Sequence, residues 1–173
     1  MDTATREKIR VWVNTPNAVK WYKKAAEQGN AEAQANLGIA YYSGDGVEKN
    51  LKNAAKWLRK AAEQGDAAAQ AILGDAFYHG KGVKKNLQEA AKWYKKAAEQ
   101  GDASAQNNLG NAYYHGEGVV MNIKKAVKWW KLAAEQGDAS AQTNLGDAYY
   151  SGEGVKKNLQ EAAKWYKKAV EQG

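Results

Sequence analysis

The sequence predicts an all-α fold, a solenoid of antiparallel helix pairs built on a 36-residue repeat. Three observations carry that prediction. The tripeptide Glu-Gln-Gly ends at Gly29, Gly65, Gly101, Gly137 and Gly173, a strict spacing of 36, and a fixed period of this length marks stacked-repeat architectures. Within a period, apolar residues recur at i, i+4, i+7 and i+8, the spacing of one helical face. The 44% hydrophobic content is mostly alanine and aromatics, and the chain has a single proline.

The elements follow in order. Met1–Val13 has neither a Gly-x-Gly turn nor a Leu-Gly helix, and Arg6 to Val13 is expected to form a short substitute helix with Ile9 and Trp12 covering the first pair. Residues 1–16 thus form a divergent segment, 17–29 a half repeat, and 30–65, 66–101, 102–137 and 138–173 four full units. One solenoid domain is expected over 1–173, a length sufficient for a single core. The units at 66–101 and 138–173 differ at only seven positions.

Each unit reads as two helices. In 66–101, Asp66 is a suitable N-cap, since its carboxylate accepts from free N–H groups of the first turn. Ala69, Leu73, Ala76 and Phe77 then line one face. Gly80 and Gly82, in His79-Gly80-Lys81-Gly82, supply the conformations a helix exit needs. Asn86 caps the second helix, with Glu89 three residues on in a capping-box pattern. Leu87, Ala90, Ala91, Trp93, Tyr94, Ala97 and Ala98 form its buried stripe, and Gly101 ends it.

One helix pair cannot bury its apolar face alone, so neighbouring units must stack. Gly38, Gly74, Gly110 and Gly146 recur mid-helix, where glycine costs about 1 kcal/mol against alanine. Their common phase predicts a close helix crossing that a Cβ would obstruct. Trp21, Trp57, Trp93, Trp129 and Trp165 also recur in phase and are expected as core between successive pairs, as are Tyr42, Tyr78, Tyr114 and Tyr150, whose hydroxyls need partners.

These residues carry a family resemblance. Ala-x-Ala-Gln-x-x-Leu-Gly-x-x-Tyr-x-x-Gly-x-Gly-Val followed by Ala-x-x-Trp-x-x-x-Ala-Ala-Glu-Gln-Gly, over residues 17–173, resembles the Sel1-like repeat, a relative of tetratricopeptide repeats. The resemblance implies a TPR-like right-handed superhelix acting as a protein-binding adaptor or scaffold. It also implies a bacterial setting in signalling, envelope processes or host interaction. Cysteine-rich relatives staple each repeat with a disulfide and are linked to β-lactam binding; this chain has no cysteine.

In a helix-pair solenoid the first helices line the concave wall, and the phases left outside their buried stripe face a partner. These read Glu32, Asn36, Ile39, Ser43; Ala68, Ile72, Asp75, His79; Ser104, Asn108, Asn111, His115; and Ser140, Asn144, Asp147, Ser151. They vary between units while the core phases hold still, and they are short amides, acids and hydroxyls where lysine and glutamate are usual. Asn36, Ile39, Ile72, Asp75, His79, Asn108, Asn111, His115, Asn144 and Asp147 are therefore the expected protein- or peptide-binding residues. Asn36, Asn108 and Asn144 would grip an extended backbone, leaving Asp75, Asn111 and Asp147 to select side chains. The competing expectation is that these asparagines bond within their own helices.

Other classes fare worse. His79 and His115 lack companion ligands, so no metal or other cofactor is expected, and each reads as a helix C-terminal cation or a groove contact. The formal net charge is +7, but the lysines fill second-helix faces among glutamates, and three arginines give no readout segment. A weak salt-sensitive attraction to polyanions is expected, without specific nucleic-acid recognition. Four serines and two histidines at repeat phases offer no convergent catalytic group, so no enzyme is expected. No apolar run is long enough for a membrane span. Without a signal peptide the chain as given reads as cytoplasmic; a periplasmic or exported location would require a leader already removed. No polar capping helix precedes the end at Gly173, so the last pair is expected to leave apolar surface bare. That makes a self-associating structural array the alternative to a protein- or peptide-binding adaptor.

Overall fold

The structure, a computed structural model, describes residues 15–171. The expected helix over 6–13, with Ile9 and Trp12, and the end at Gly173 lie outside the described residues. Among the described residues there are nine α-helices and no strand. They are α1 Pro16–Glu27, α2 Ala31–Ser43, α3 Leu51–Glu63, α4 Ala67–His79, α5 Leu87–Glu99, α6 Ala103–His115, α7 Ile123–Glu135, α8 Ala139–Ser151 and α9 Leu159–Val170. The all-α helix-pair fold predicted from the period is the fold observed.

The chain divides between Lys85 and Asn86 into two compact units. In the first, α1 packs on α2, α2 on α3 and α3 on α4, and α2 also touches α4. In the second, each of α5 to α8 packs on the next. Such short links between packed helices make consecutive helices antiparallel.

Local chemistry sets the helix limits. Thr15, Asn30, Asn50, Asp66, Asn86, Asp102, Asn122, Asp138 and Asn158 are the N-caps, each accepting a first-turn N–H through its side-chain oxygen. Asp66 Oδ1 takes the Ala69 N–H at 2.7 Å and Asn86 Oδ1 that of Glu89 at 3.0 Å. The reciprocal half of the capping box is replaced, because the Glu89 carboxylate turns to Lys92 at 3.6 Å.

The first helices end on left-handed glycines, and the second glycine of the turn has a different task. In the second unit, Gly116 (φ +71°) caps α6, whereas Gly118 (φ +73°) lies so close to the first residue of α5 that a Cβ would strike the Leu87 carbonyl. The turn after one first helix therefore packs onto the start of the preceding second helix.

The mid-helix glycines mark the expected crossing. A Cβ on Gly38 would lie 2.7 Å from Leu58 Cγ, on Gly110 2.5 Å from Trp130 Cδ1, and on Gly146 2.6 Å from Tyr166 Cε1. Around these crossings Leu37, Leu58, Leu73, Leu109 and Leu145 are fully buried. Gln34, Gln70, Gln106 and Gln142, also buried, carry a polar ladder that periodicity does not reveal. Gln34 Nε2 donates to the Ala26 carbonyl at 3.0 Å while its Oε1 accepts from Gln64 at 2.7 Å. Gln106 repeats this with Ala98 at 3.2 Å and Gln136 at 2.8 Å. The glutamine of each Glu-Gln-Gly signature thus serves as more than punctuation in these two repeats.

Two core expectations need correction. Trp93 and Trp165 are buried and Trp57 and Trp129 half-buried, but Trp21 is 66% exposed. Trp57 packs against the cluster of α1 and α2, and Trp165 against that of α7 and α8. This phase is covered by the repeat before it, and α1 has none before it among the described residues. The tyrosines are not core either: Tyr42, Tyr78 and Tyr114 are half-buried and Tyr150 is 60% exposed. Their phase falls near the C-terminal end of the first helix, where the Tyr42 and Tyr114 phenols reach the next glycine turn.

Candidate protein-binding face

The first helices present their variable phases outward. In the first unit, Asn36 on α2 and Ile72 and Asp75 on α4 are half-buried, and Ile39 and His79 are exposed. In the second, Asn108 and Asn111 on α6 and Asn144 on α8 are half-buried, and His115 and Asp147 are exposed. His79 and His115 are the last residues of α4 and α6, each edge-on to the preceding tyrosine, Tyr78 at 4.9 Å and Tyr114 at 5.0 Å.

The second unit gathers its residues into a network. Trp130 Nε1 donates to Asn111 Oδ1 at 2.9 Å. An indole nitrogen only donates, so this bond sets the orientation of the Asn111 amide. Asn144 Nδ2 then donates to Asn111 Oδ1 at 3.2 Å and to Asn107 Oδ1 at 3.0 Å. These asparagines bond between helices, and the partners of Asn144 are Asn107 and Asn111, on either side of the Asn108 phase. The Asn111 NH2 and the Asn144 carbonyl oxygen take no part in these bonds and place one donor beside one acceptor.

Carboxylates sit beside this pair. The Tyr166 hydroxyl donates to Asp147 Oδ1 at 2.6 Å, and the Tyr114 hydroxyl to Glu153 Oε2 at 2.9 Å. Asn111, Tyr114, His115, Trp130, Asn144, Asp147 and Glu153 line one pocket of about 130 Å³ with Ala148 and Ser151. Sequence reading places Tyr114 in the core and gives Trp130 and Glu153 no role. The signal for them was variation at two phases: Leu58, Tyr94, Trp130 and Tyr166 in one, and Asp45, Lys81, Glu117 and Glu153, between the turn glycines, in the other.

The carboxylates mark the phenols electrostatically. The bond to Asp147 pushes Tyr166 up to about 12, with burial and the charges of Asp147 and Tyr150 adding to it. Tyr114 is raised first by its bond to Glu153 and further by the charge of that carboxylate, by burial and by Asp147. A raised phenol means the fold favours the protonated form, so the Tyr166–Asp147 tie is complete below the ordinary phenol value of 10.0 and is lost as pH rises through about 12. In a difference titration of phenolate absorbance, the signal missing from Tyr166→Phe is expected above the ordinary phenol range. A missing signal at the ordinary value would show that the tie does not form.

The second-helix lysines are engaged locally. Lys92, Lys95, Lys164 and Lys167 lie 3.5–3.8 Å from glutamates three or four residues away in sequence, while Lys96 and Lys168 sit over the rings of Trp93 and Trp165. Leu159 and Val170 on α9 are 56% and 78% exposed. Among the described residues no group of three or more His, Cys, Asp or Glu is placed to hold a metal ion, and no helix is long and apolar enough to cross a membrane.

Stacked helix hairpins with a repeated interior and one variable, half-open face define a helical-repeat protein. The chain belongs to the Sel1 repeat family, whose model matches residues 11–30, 31–66, 67–102, 103–138 and 139–173. It is similar to a protective antigen present in uropathogenic Escherichia coli strains that displays an SLR fold, at 45% identity and TM-score 0.85, over 90% of this chain and 33% of that one. A Sel1 repeat protein from Oxalobacter formigenes is 44% identical at TM-score 0.83, over 91% of this chain and 64% of that one. Helicobacter pylori cysteine rich protein B is 34% identical at TM-score 0.58, over 72% of this chain and 90% of that one. The chain therefore spans a third of the first of these proteins and just under two thirds of the second. Among curated proteins, none matches it significantly.

Proposed function

We propose that the chain is an adaptor that binds an extended peptide or protein segment on the outward face of its first helices. The observation that carries this reading is the donor and acceptor pair left by Asn111 and Asn144. Their orientation is set by Trp130 and Asn107, so they are held ready without further ordering. One N–H and one C=O of an extended backbone match that pair, and a preorganised site of this kind lowers the entropy cost of binding. The adjoining pocket then takes a side chain. Binding is favoured over catalysis because the Ser151 hydroxyl is turned to the Asp147 carbonyl of its own helix at 2.9 Å and accepts the Glu153 N–H at 3.3 Å.

Panning a random-peptide library against the chain tests this reading. Selected peptides are expected to lose about tenfold in affinity on Asn144→Ile, the cost of one unmet polar contact. Isoleucine already occupies that phase in the first unit as Ile72, beside Ala35 and Ile39 at the Asn107 and Asn111 phases, and a thermal melt checks that the second unit stays folded when Asn107 loses this partner. No enrichment, or enriched peptides indifferent to Asn144→Ile, would exclude this face as the site.

A further inference from the structure

Residues 72 positions apart are two repeats apart and share a phase. The pocket of the second unit therefore has a counterpart in the first, with Tyr42 in place of Tyr114, Asp75 of Asp147 and Lys81 of Glu153. In that counterpart Lys81 donates from Nζ to the Tyr42 hydroxyl at 2.9 Å, its nitrogen 5.4 Å from the ring centroid. The ammonium is held above its ordinary value first by that bond and by the charge of the phenol, with Asp75 adding to it. The first unit thus places the chain's own cation against this tyrosine, beside this aspartate.

In the second unit the lysine is replaced by Glu153. The aspartate and tyrosine remain, and Trp130 stands beside Tyr114 with ring centroids 5.3 Å apart. Each carboxylate has one oxygen engaged by a phenol, Asp147 by Tyr166 and Glu153 by Tyr114, and each has a second oxygen to offer. None of the residues lining the pocket is a lysine or an arginine.

We propose that this pocket receives a lysine or arginine side chain of the bound segment, its cation seated between Asp147 and Glu153 against the ring of Tyr114. The proposal rests on the peptide-binding reading above and names the side chain that reading leaves open. Charge-assisted hydrogen bonds to oriented carboxylates and contact with an aromatic face are the two interactions that favour a cation over a neutral chain of equal length. The network also keeps the pocket in shape before the guest arrives, since Asn111, Asn144 and both carboxylates are held by bonds to neighbouring side chains. The chain as a whole carries +7, so its general field repels a cationic probe and a localised response must come from the pocket.

The test uses two blocked pentapeptides, each of four alanines around a central residue, lysine in one and norleucine in the other. They are titrated into the isotope-labelled chain and followed by the Trp130 indole N–H and the backbone amides of Tyr114, Asp147 and Glu153. The lysine peptide is expected to give saturable shifts at these positions, at least about tenfold tighter than the norleucine peptide, the scale of a charge-assisted contact. Glu153→Gln is expected to weaken the response, and Glu153→Lys, which installs the first-unit residue and so suits the fold, to abolish it. Equal shifts from both peptides, lysine shifts that survive Glu153→Lys, or no shifts from either would overturn the proposal. Library peptides that still depend on Asn144 but carry no basic residue would overturn it while leaving the peptide-binding reading standing.

Discussion

Gly118→Ala is expected to lower stability by about 3 kcal/mol, a drop of roughly 10 °C in melting temperature for a chain of this size. Two costs combine. An alanine at φ +73° pays left-handed strain of about 1 kcal/mol. Its Cβ then meets the Leu87 carbonyl and the Gln88 nitrogen, backbone atoms of the first turn of α5 that cannot swing aside as a side chain would. Gly116→Ala separates the two costs. Its φ of +71° imposes the same strain, but the Cβ would meet Met121 Cβ at 3.3 Å, an exposed side chain in the turn. Melts followed by helical circular dichroism should place Gly118→Ala well below Gly116→Ala. Equal losses would mean that the close approach of turn to helix contributes nothing.

The second large effect is expected at Gln106. Gln106→Leu keeps nearly the same volume and removes two hydrogen bonds, one to the Ala98 carbonyl and one from Gln136. A buried polar group left without its partner costs about 1–3 kcal/mol, so a loss of about 2 kcal/mol is expected in denaturant unfolding. Gln136→Ala, at an exposed position, should cost less, and the double variant little more than Gln106→Leu alone, because the two residues share a bond. If leucine at 106 is neutral, this glutamine fills space and ties nothing.

The same hairpin supports two different surfaces. In the first unit the phases of Asn111 and Asn144 are Ile39 and Ile72, and Lys81 covers Tyr42. In the second unit those phases are amides beside two carboxylates. Repetition of the interior leaves the outward phases unconstrained by packing, so each repeat is able to offer a partner different chemistry on one backbone.

Much of this was legible in the residues themselves. The period of 36, the helix limits at Asp66, Asn86 and Gly80, and the close crossing at Gly38, Gly110 and Gly146 follow from local rules: caps, left-handed glycines and a repeated 3.6-residue stripe. The Tyr42 and Tyr114 phenols, by contrast, met their partners 39 residues away, at Lys81 and Glu153. Asn144 met Asn107 and Asn111 at separations of 37 and 33, with Asn108 lying between them in sequence. Those pairings depend on how far one hairpin is rotated and shifted against the next. Helical periodicity sets the direction of each side chain on its own helix and carries no information about that offset. Only the packing of hairpin on hairpin decided which polar groups share a pocket.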